Sequence, residues 1–241
     1  MPFAFNRGQR IHYTAEGSGP LLILQHGLLL SAESWKRAGI VDLLADGYRV
    51  ACIDSLGHGL SDKPAGPELY RQAQRAADVV AVMDDLGTER AHFVGHSMGG
   101  WIAVGMAKYF PVRLSSLHVG GWHPSRGLPS GPKGPLSFDA FMSFARRMAP
   151  KLVQWITPEI EPGVRACFEA LGELDGAREA LVHKDFPVIL WDGHDDPDHG
   201  TKKAFAEENA LPFVVTPGDH LGMLFHHPAE SAKAIRRLLN P

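Results

Sequence analysis

Short apolar runs closed by turn residues alternate along this chain with longer segments in which apolar residues recur every three or four positions. The short runs predict strands, and the longer segments predict amphipathic helices. The predicted strands are residues 3–6, 10–15, 21–25, 48–54, 91–95, 115–119, 187–192 and 212–216. The predicted helices are residues 32–46, 68–86, 98–109 and 228–239. This alternation is typical of an α/β protein with an eight-stranded, mostly parallel sheet and helices on both faces.

The spacing between the predicted strands indicates their direction. The short turn Arg7-Gly8-Gln9 separates the first two strands and predicts an antiparallel hairpin, whereas helix-length segments separate the later strands. The alternation lapses over about 121–184, where prolines and glycines are dense and helical patterns then follow over 138–148 and 162–171. We therefore predict a single domain, residues 1–241, in which this segment forms a short helical lid.

The composition limits the classes of protein to which the chain can belong. Its 241 residues are 44% hydrophobic and 21% charged with a net charge of −3, which is typical of a folded globular protein and argues against a nucleic-acid binder. The two cysteines, Cys52 and Cys167, lie in apolar stretches, so a disulfide framework is excluded. No export signal or membrane-spanning run is visible, and we expect a cytoplasmic protein whose oligomeric state stays open.

The candidate chemistry begins at Gly95-His96-Ser97-Met98-Gly99, a G-x-S-x-G sequence directly after a predicted strand and directly before a predicted helix. A serine on such a sharp turn projects its hydroxyl out of the sheet, and the flanking glycines let strand and helix approach each other. The helix directs its first N–H groups at the reacting oxygen, so the Met98 N–H is a candidate oxyanion donor. We predict that Ser97 is a nucleophile.

With this motif in this context, the chain resembles the α/β-hydrolase superfamily over nearly its whole length, and the resemblance implies the α/β-hydrolase fold. Leu24-Gln25-His26-Gly27-Leu28 is similar to the family's strand that ends in His-Gly, which implies that the Leu28 N–H is the second oxyanion donor. In this setting the His26 ring is expected to hold the oxyanion loop. Residues 54–61 resemble the family's D-x-R-G-H-G-x-S segment, with Leu56 where arginine is common.

The resemblance also implies the other two catalytic residues. Residues 217–220, Pro-Gly-Asp-His, follow the last predicted strand, where the family carries its general base, which implies His220. Residues 193–197, Gly-His-Asp-Asp-Pro, resemble the family's G-x-x-D turn, which selects Asp196 as the acid that orients the base. The adjacent carboxylate of Asp195 keeps a second assignment open. The chain order serine, aspartate, histidine is that of this fold.

The lid segment supplies the candidates for the substrate pocket. Trp122 opens this segment and Trp155 lies within it, and each is either a core residue or a wall of the pocket. Phe141 belongs to an apolar helical stripe in the lid, and Leu221 follows the predicted base. The histidines and aspartates of residues 194–199 match no strong metal signature, and the expected chemistry needs no metal or cofactor.

The function that these residues predict is hydrolysis of a small carboxylic ester or lactone through an acyl-enzyme intermediate. A serine nucleophile argues against the superfamily branches that use aspartate there, the haloalkane dehalogenases and epoxide hydrolases. Two alternatives stay open: a carbon-carbon bond hydrolase of the same fold, and a member that binds a small ligand without catalysis. The short lid leads us to expect a preference for short acyl groups.

Overall fold

Eight strands form the central sheet in the computed structural model, which describes residues 1–131, 134–237 and 239. They are β1 Phe3–Asn6, β2 Gln9–Glu16, β3 Leu21–Gln25, β4 Arg49–Ile53, β5 Ala91–His96, β6 Leu114–Gly120, β9 Val188–Gly193 and β10 Phe213–Thr216. Two further strands, β7 Ser130–Gly131 and β8 Gly134–Pro135, form a separate short hairpin. Each of the eight predicted strands is present within one residue of its predicted ends, so the predicted fold class is confirmed.

The order of the sheet is β1-β2-β4-β3-β5-β6-β9-β10. Strand β2 pairs antiparallel with β1 and β4, and all other neighbours are parallel. The predicted opening hairpin is therefore confirmed. Because neighbouring parallel strands end at the same edge of the sheet, the residues that follow β3, β5, β9 and β10 are brought toward one another there.

The helices cover both faces of this sheet. They are α1 Ala32–Arg37, α2 Ile40–Leu44, α3 Gln72–Asp85, α4 Met98–Tyr109, α5 Phe138–Met148, α6 Pro150–Val153, α7 Glu161–Ala170, α8 Ala177–Val182, α9 His199–Glu208, α10 Gly222–Phe225 and α11 Pro228–Arg236. Two 3-10 turns cover Pro67–Tyr70 and Pro111–Arg113. Within the described ranges, none of the helices combines the length and apolar character that crossing a membrane requires.

Three of the predicted helices differ from the structure in their course or length. The segment 32–46 was predicted as one helix, and it forms α1 and α2 with Gly39 between them at φ 77°. A residue in this left-handed conformation ends a helix, and glycine adopts it without a steric penalty. The segment 68–86 begins in a 3-10 turn before continuing as α3. The last predicted helix ends at Arg236, and Leu238, within its predicted range, lies outside the described residues.

Four helices were not predicted from the sequence. Helices α6, α8 and α10 contain only four to six residues, too few for a helical period to emerge. Helix α9 is longer, but its sequence HGTKKAFAEE is mostly polar, and three of its residues, Lys202, Phe205 and Ala206, are buried. Helix α9 packs against β9 and β10.

The alternation of side chains along the central strands divides the core between the two faces of the sheet. Leu21 and Ile23 of β3 belong to the cluster that packs under α3, α4 and α8. Leu22 and Leu24 of the same strand belong to the cluster that packs under α1, α2 and α11. Strand β3 is buried at all five positions, as expected for a parallel strand that is covered on both faces.

Helices α5 to α8 lie between β6 and β9, where the lid was predicted. The helices predicted over 138–148 and 162–171 are observed as α5 and α7, whereas residues 132 and 133 of the predicted lid lie outside the described residues. A third hydrophobic cluster joins Phe138, Phe168 and other lid side chains to Leu29, in the loop after β3. The lid therefore packs against the loop that carries the predicted oxyanion donor Leu28.

Candidate active site

Ser97 occupies the turn between β5 and α4 in an unusual backbone conformation. Its φ is 57° and its ψ is −118°. Residues other than glycine rarely adopt this combination of angles, because it strains the backbone. Two hydrogen bonds fix this turn: the Ser97 N–H donates to the Gly120 carbonyl at 2.8 Å, and the Trp101 N–H donates to the Ser97 carbonyl at 3.1 Å. The serine is therefore held rigidly at the end of the strand.

The flanking glycines are required by close packing. A Cβ added at Gly95 would overlap the carbonyl oxygen of Gly99, and a Cβ added at Gly99 would overlap the carbonyl oxygen of Gln25. Strand β5, helix α4 and the end of β3 thus approach one another more closely than any side chain would permit. This is the physical reason for the G-x-S-x-G spacing.

The two predicted oxyanion donors are both unoccupied. Within the described residues, neither the Leu28 N–H nor the Met98 N–H donates a hydrogen bond. Met98 is the first residue of the 12-residue helix α4, so its N–H lies at the positive end of the helix dipole. A Cβ added at Gly27 would lie 3.1 Å from the Ser97 Cβ, so the loop after β3 passes directly beside the serine.

Two buried histidines hold the backbone of this loop. The Nδ1–H of His26 donates to the Gly27 carbonyl at 2.8 Å, while its Nε2 accepts from the Ser55 N–H at 3.0 Å. The Nε2 of His58 accepts from the N–H of Leu29 at 3.2 Å, and Leu29 has a φ of 67°. Burial lowers the pKa of both rings, so each is neutral and able to accept a hydrogen bond at Nε2.

Asp196 and His220 meet across the ends of β9 and β10. The His220 Nδ1 lies 2.7 Å from Asp196 Oδ2, and the Asp196 side chain is 4% exposed. The two loops are bonded directly, since the Asp195 N–H donates to the Gly218 carbonyl at 3.0 Å. A Cβ added at Gly193 would overlap the same carbonyl, so glycine is needed where the loops touch.

The geometry favours Asp196 over the neighbouring carboxylate. Asp195 Oδ1 lies 2.8 Å from the Nδ1 of His194, and the Asp195 side chain is 64% exposed. Asp195 therefore points toward solvent, and Asp196 is the carboxylate that contacts His220.

His220 also reaches the turn that carries the serine. Its ring centroid lies 4.8 Å from that of His96, the residue before Ser97. A Cβ added at Gly121 would lie 3.1 Å from His220 Cε1, so the ring packs against the end of β6 as well. Within the described residues, the Ser97 hydroxyl makes no hydrogen bond to His220. Such catalytic hydrogen bonds often form only when substrate is bound.

Lys202 is a buried cation at this site that sequence reasoning missed. Its Nζ lies 2.8 Å from Asp196 Oδ1 and 2.9 Å from Asp192 Oδ1. Burial alone would raise the pKa of Asp196, but the hydrogen bonds and charges of His220 and Lys202 outweigh it and hold that pKa below its ordinary value. The carboxylate of Asp196 is thus ionised and held at both oxygens. The sequence carries no signal for this role, because Lys202 lies in a mostly polar helix whose buried face no apolar period marks.

Asp192 extends the same chain of contacts away from His220. Its side chain is fully buried, and its second oxygen lies 3.1 Å from the Nδ1 of His199. Burial raises the pKa of Asp192 even with Lys202 beside it. The Asp192–Lys202–Asp196 chain of side-chain contacts therefore contains two carboxylates, which share one lysine.

The predicted pocket residues fall in two places. Trp122 is 4% exposed and packs against α4, where a Cβ added at Gly100 would lie 2.7 Å from the Trp122 Cβ. Phe141 and Trp155 are half-buried in the cluster that joins the lid to the oxyanion loop. Leu221 is half-buried directly after His220. Phe141 and Trp155 thus lie in the predicted lid, and Leu221 lies next to His220. Trp122 belongs to the main core.

The histidines of residues 194–199 form pairs with carboxylates. His194 contacts Asp195, and His199 contacts Asp192. Over the ranges that the structure describes, no group of three His, Cys, Asp or Glu side chains is arranged to hold a metal ion.

Comparisons with known proteins find relatives that share the fold of this chain. The family model described as the alpha/beta hydrolase fold matches residues 20–130. Epoxide hydrolase B of Mycobacterium tuberculosis is 39% identical over an alignment that covers 53% of this chain and 38% of that protein. 3-oxoadipate enol-lactonase 2 of Acinetobacter baylyi is 29% identical over 74% of this chain and 72% of that protein. The crystal structure of the enol-lactonase from Burkholderia xenovorans LB400 superposes over 100% of both chains with a TM-score of 0.78 and 23% identity.

The strand order, the serine turn and these matches define the class of fold: the chain has the α/β-hydrolase fold. It spans less than half the length of the first curated relatives that it matches. Those relatives are named as epoxide hydrolases, and a relative that aligns over most of both chains is named as an enol-lactonase.

Proposed function

We propose that this protein hydrolyses a carboxylic ester or a lactone through an acyl-enzyme intermediate on Ser97. The observation that carries the proposal is the 2.7 Å contact between Asp196 and His220, at the edge of the sheet where Ser97 is held in a strained turn. A nucleophile, a base and an orienting acid in this order form a complete triad.

The proposed reaction has two steps. In the first, His220 takes the proton of Ser97 as the serine oxygen attacks the substrate carbonyl, and the tetrahedral oxyanion accepts hydrogen bonds from the N–H groups of Leu28 and Met98. The intermediate collapses when the alcohol leaves with the proton from His220. In the second, His220 activates a water molecule that attacks the acyl-serine, which releases the acid and regenerates the serine.

Asp196 acts by orienting the base. Its carboxylate accepts the His220 Nδ1–H, which leaves Nε2 as the proton acceptor, and it stabilises the imidazolium that forms in each step. The second oxygen of Asp196 is bound by Lys202 Nζ and by the Asp198 N–H at 3.0 Å, so the carboxylate cannot rotate freely.

The chemistry of a serine nucleophile argues against epoxide hydrolysis, although about half of this chain is 39% identical in sequence to epoxide hydrolase B. If Ser97 opened an epoxide, the product would be an ether, which has no carbonyl carbon for water to attack, and the enzyme would be consumed. An aspartate nucleophile avoids this because it forms an ester. The match to a protein named as an enol-lactonase, which covers most of both chains, supports the ester or lactone reading.

The test compares hydrolysis of p-nitrophenyl acetate by the wild-type protein and by Ser97→Ala. We expect kcat/KM to fall by at least about a thousandfold, because losing a member of such a triad costs several orders of magnitude. The exposed Ser18 supplies a matched control, and Ser18→Ala should retain full activity. Circular dichroism should show that all three proteins are folded. Activity of Ser97→Ala within about tenfold of the wild type would contradict the proposal, and a wild type without esterase or lactonase activity would favour the ligand-binding alternative.

A further inference from the structure

A cavity of about 430 Å³ lies where the loop after β3 meets the lid. Leu29 and Leu30 from the loop and Leu152, Trp155 and Ile160 from the lid contribute apolar walls. Its volume is within the range of small-molecule binding sites, which is about 300–1,000 Å³. The cavity can therefore hold a small organic group.

The charged side chains around this cavity all have the same sign. Arg37 at the end of α1, Lys63 after β4 and Lys151 in α6 line it, and no acidic residue does so within the described part of the chain. None of these three cations forms an ion pair with a carboxylate of the described residues. Unpaired cations of one sign in a concave surface concentrate anions there.

Lys63 is the most constrained of the three cations. Its Nζ donates to the carbonyl oxygens of Gly59 at 2.6 Å and Ser61 at 2.9 Å. An ammonium group has three N–H donors, so one remains for a ligand. Burial lowers the pKa of Lys63, although the charges of Asp54 and Asp62 oppose that shift. A half-buried ammonium that is not fully compensated gains from an additional anion.

The cavity is joined to the proposed reaction site through two residues. Leu29, one of its walls, follows the oxyanion donor Leu28 directly, and its N–H is held by His58. The ring of Trp155, another wall, lies 5.6 Å from the ring of His58. Ser97 itself does not line the cavity. A substrate whose carbonyl lies at the oxyanion donors would therefore extend past Leu28 and Leu29 to place a second group in the cavity.

We propose that this cavity binds a carboxylate carried by the substrate, so that the protein acts on anionic esters or lactones in preference to neutral ones. The inference rests on the proposed function and specifies the substrate class of the same site. Apolar walls would contact the carbon chain of the substrate, and the three cations would contact its charged end.

The test uses two esters that differ in a single charge, p-nitrophenyl hydrogen adipate and methyl p-nitrophenyl adipate. We expect the wild type to have a kcat/KM at least tenfold higher for the charged ester. The double variant Arg37→Gln/Lys151→Gln changes two exposed side chains, and we expect it to lose at least fivefold on the charged ester through KM, with less than a twofold change on the neutral ester. Lys63→Met should show the same pattern.

The exposed Lys233 of α11, which does not line the cavity, supplies the matched control, and Lys233→Gln should change neither substrate. Equal kcat/KM for the two esters, or an equal loss on both in the double variant, would overturn the anion subsite while the proposed function stands. Hydrolysis of p-nitrophenyl acetate but of neither adipate ester would overturn the anion subsite and leave the proposed function standing. If p-nitrophenyl acetate is not hydrolysed either, the proposed function fails, and calorimetric titration of adipate then tests the cavity alone. Binding by the wild type that is weakened in Arg37→Gln/Lys151→Gln would support the subsite, and no binding by the wild type would refute it.

Discussion

Replacing Lys202 with methionine tests the Asp192–Lys202–Asp196 chain beside the proposed catalytic pair. The Lys202 side chain is 5% exposed, and the two carboxylates that it contacts are 0% and 4% exposed. Methionine keeps most of the length and the apolar stem of lysine but removes its charge. Asp192 and Asp196 would then be buried without their shared cation. His199 would remain as the contact of the Asp192 carboxylate, and His220 and the Asp198 N–H as the contacts of the Asp196 carboxylate.

The magnitude follows from the burial of these groups. Removing one partner of a buried ion pair costs about 3–5 kcal/mol, because the other charge is left uncompensated. We therefore expect Lys202→Met to lose about that much free energy of unfolding at pH 7. In a protein of this size each kcal/mol shifts Tm by about 2–4 °C, so Tm should fall by roughly 6–20 °C. The deficit should shrink toward pH 4, because protonation of the carboxylates removes the uncompensated charge.

Two controls separate charge balance from a general effect of substitution. Asp192→Asn/Lys202→Met removes one charge of each sign, and we expect it to recover at least half of the loss. Lys203→Met changes the next residue of α9, whose Nζ forms an exposed pair with Glu207 at 2.9 Å. Exposed pairs are worth about 0.2–1 kcal/mol, so this variant should differ little from the wild type.

Urea unfolding of the four proteins, followed by circular dichroism at pH 7 and pH 4.5, measures these differences. The reasoning is refuted if Lys202→Met lies within about 1 kcal/mol of the wild type at pH 7, well below the cost of a broken buried pair. It is also refuted if the double variant is as unstable as the single variant, because the charge balance would then not be the cause.

Three further predictions concern the site and the core. Asp196→Asn should lower kcat on p-nitrophenyl acetate by at least about a hundredfold, and Asp195→Asn by less than about tenfold; the reverse ranking would reassign the acid. Burial lowers the pKa of His118 to about 4. The unfolded chain therefore binds more protons than the folded one between about pH 4 and 6.5, so stability should fall as pH falls through that window, by up to about 1.4 kcal/mol per unit for this residue. His118→Leu should lower the slope of unfolding free energy against pH by one proton, and an unchanged slope would contradict the assignment. Gly95→Ala should cost at least about 3 kcal/mol in urea unfolding, because its Cβ would overlap the Gly99 carbonyl; a cost below about 1 kcal/mol would mean that the turn can relax.

The sequence by itself determined the strands and the serine turn. In β3 every residue is apolar except Gln25. Such short apolar runs between turn residues are local patterns, so they can be recognised without knowledge of the tertiary contacts. The G-x-S-x-G turn was also readable, because its residue pattern is contained in five consecutive residues. The candidates Asp196 and His220 came instead from the resemblance to the α/β-hydrolase superfamily.

Only the tertiary structure shows which of Asp195 and Asp196 contacts His220. The two residues are adjacent and chemically identical, and the distinction depends on which carboxylate faces a histidine that is 24 residues away. The side of the loop that faces His220 is set by contacts between the β9 and β10 loops, such as the hydrogen bond from the Asp195 N–H to Gly218. No local pattern encodes that contact.

The role of Lys202 and the cationic cavity likewise depended on the fold. Helix α9 has too few apolar residues for its buried face to be detected, so the sequence does not show that Lys202 is buried. Arg37, Lys63 and Lys151 come from three separate segments and share one cavity only after the lid has packed on the loop after β3. Hydrophobic periodicity reports which side of an element is buried, whereas ion pairs and cavities depend on the distances between elements, and those distances exist only in the folded chain.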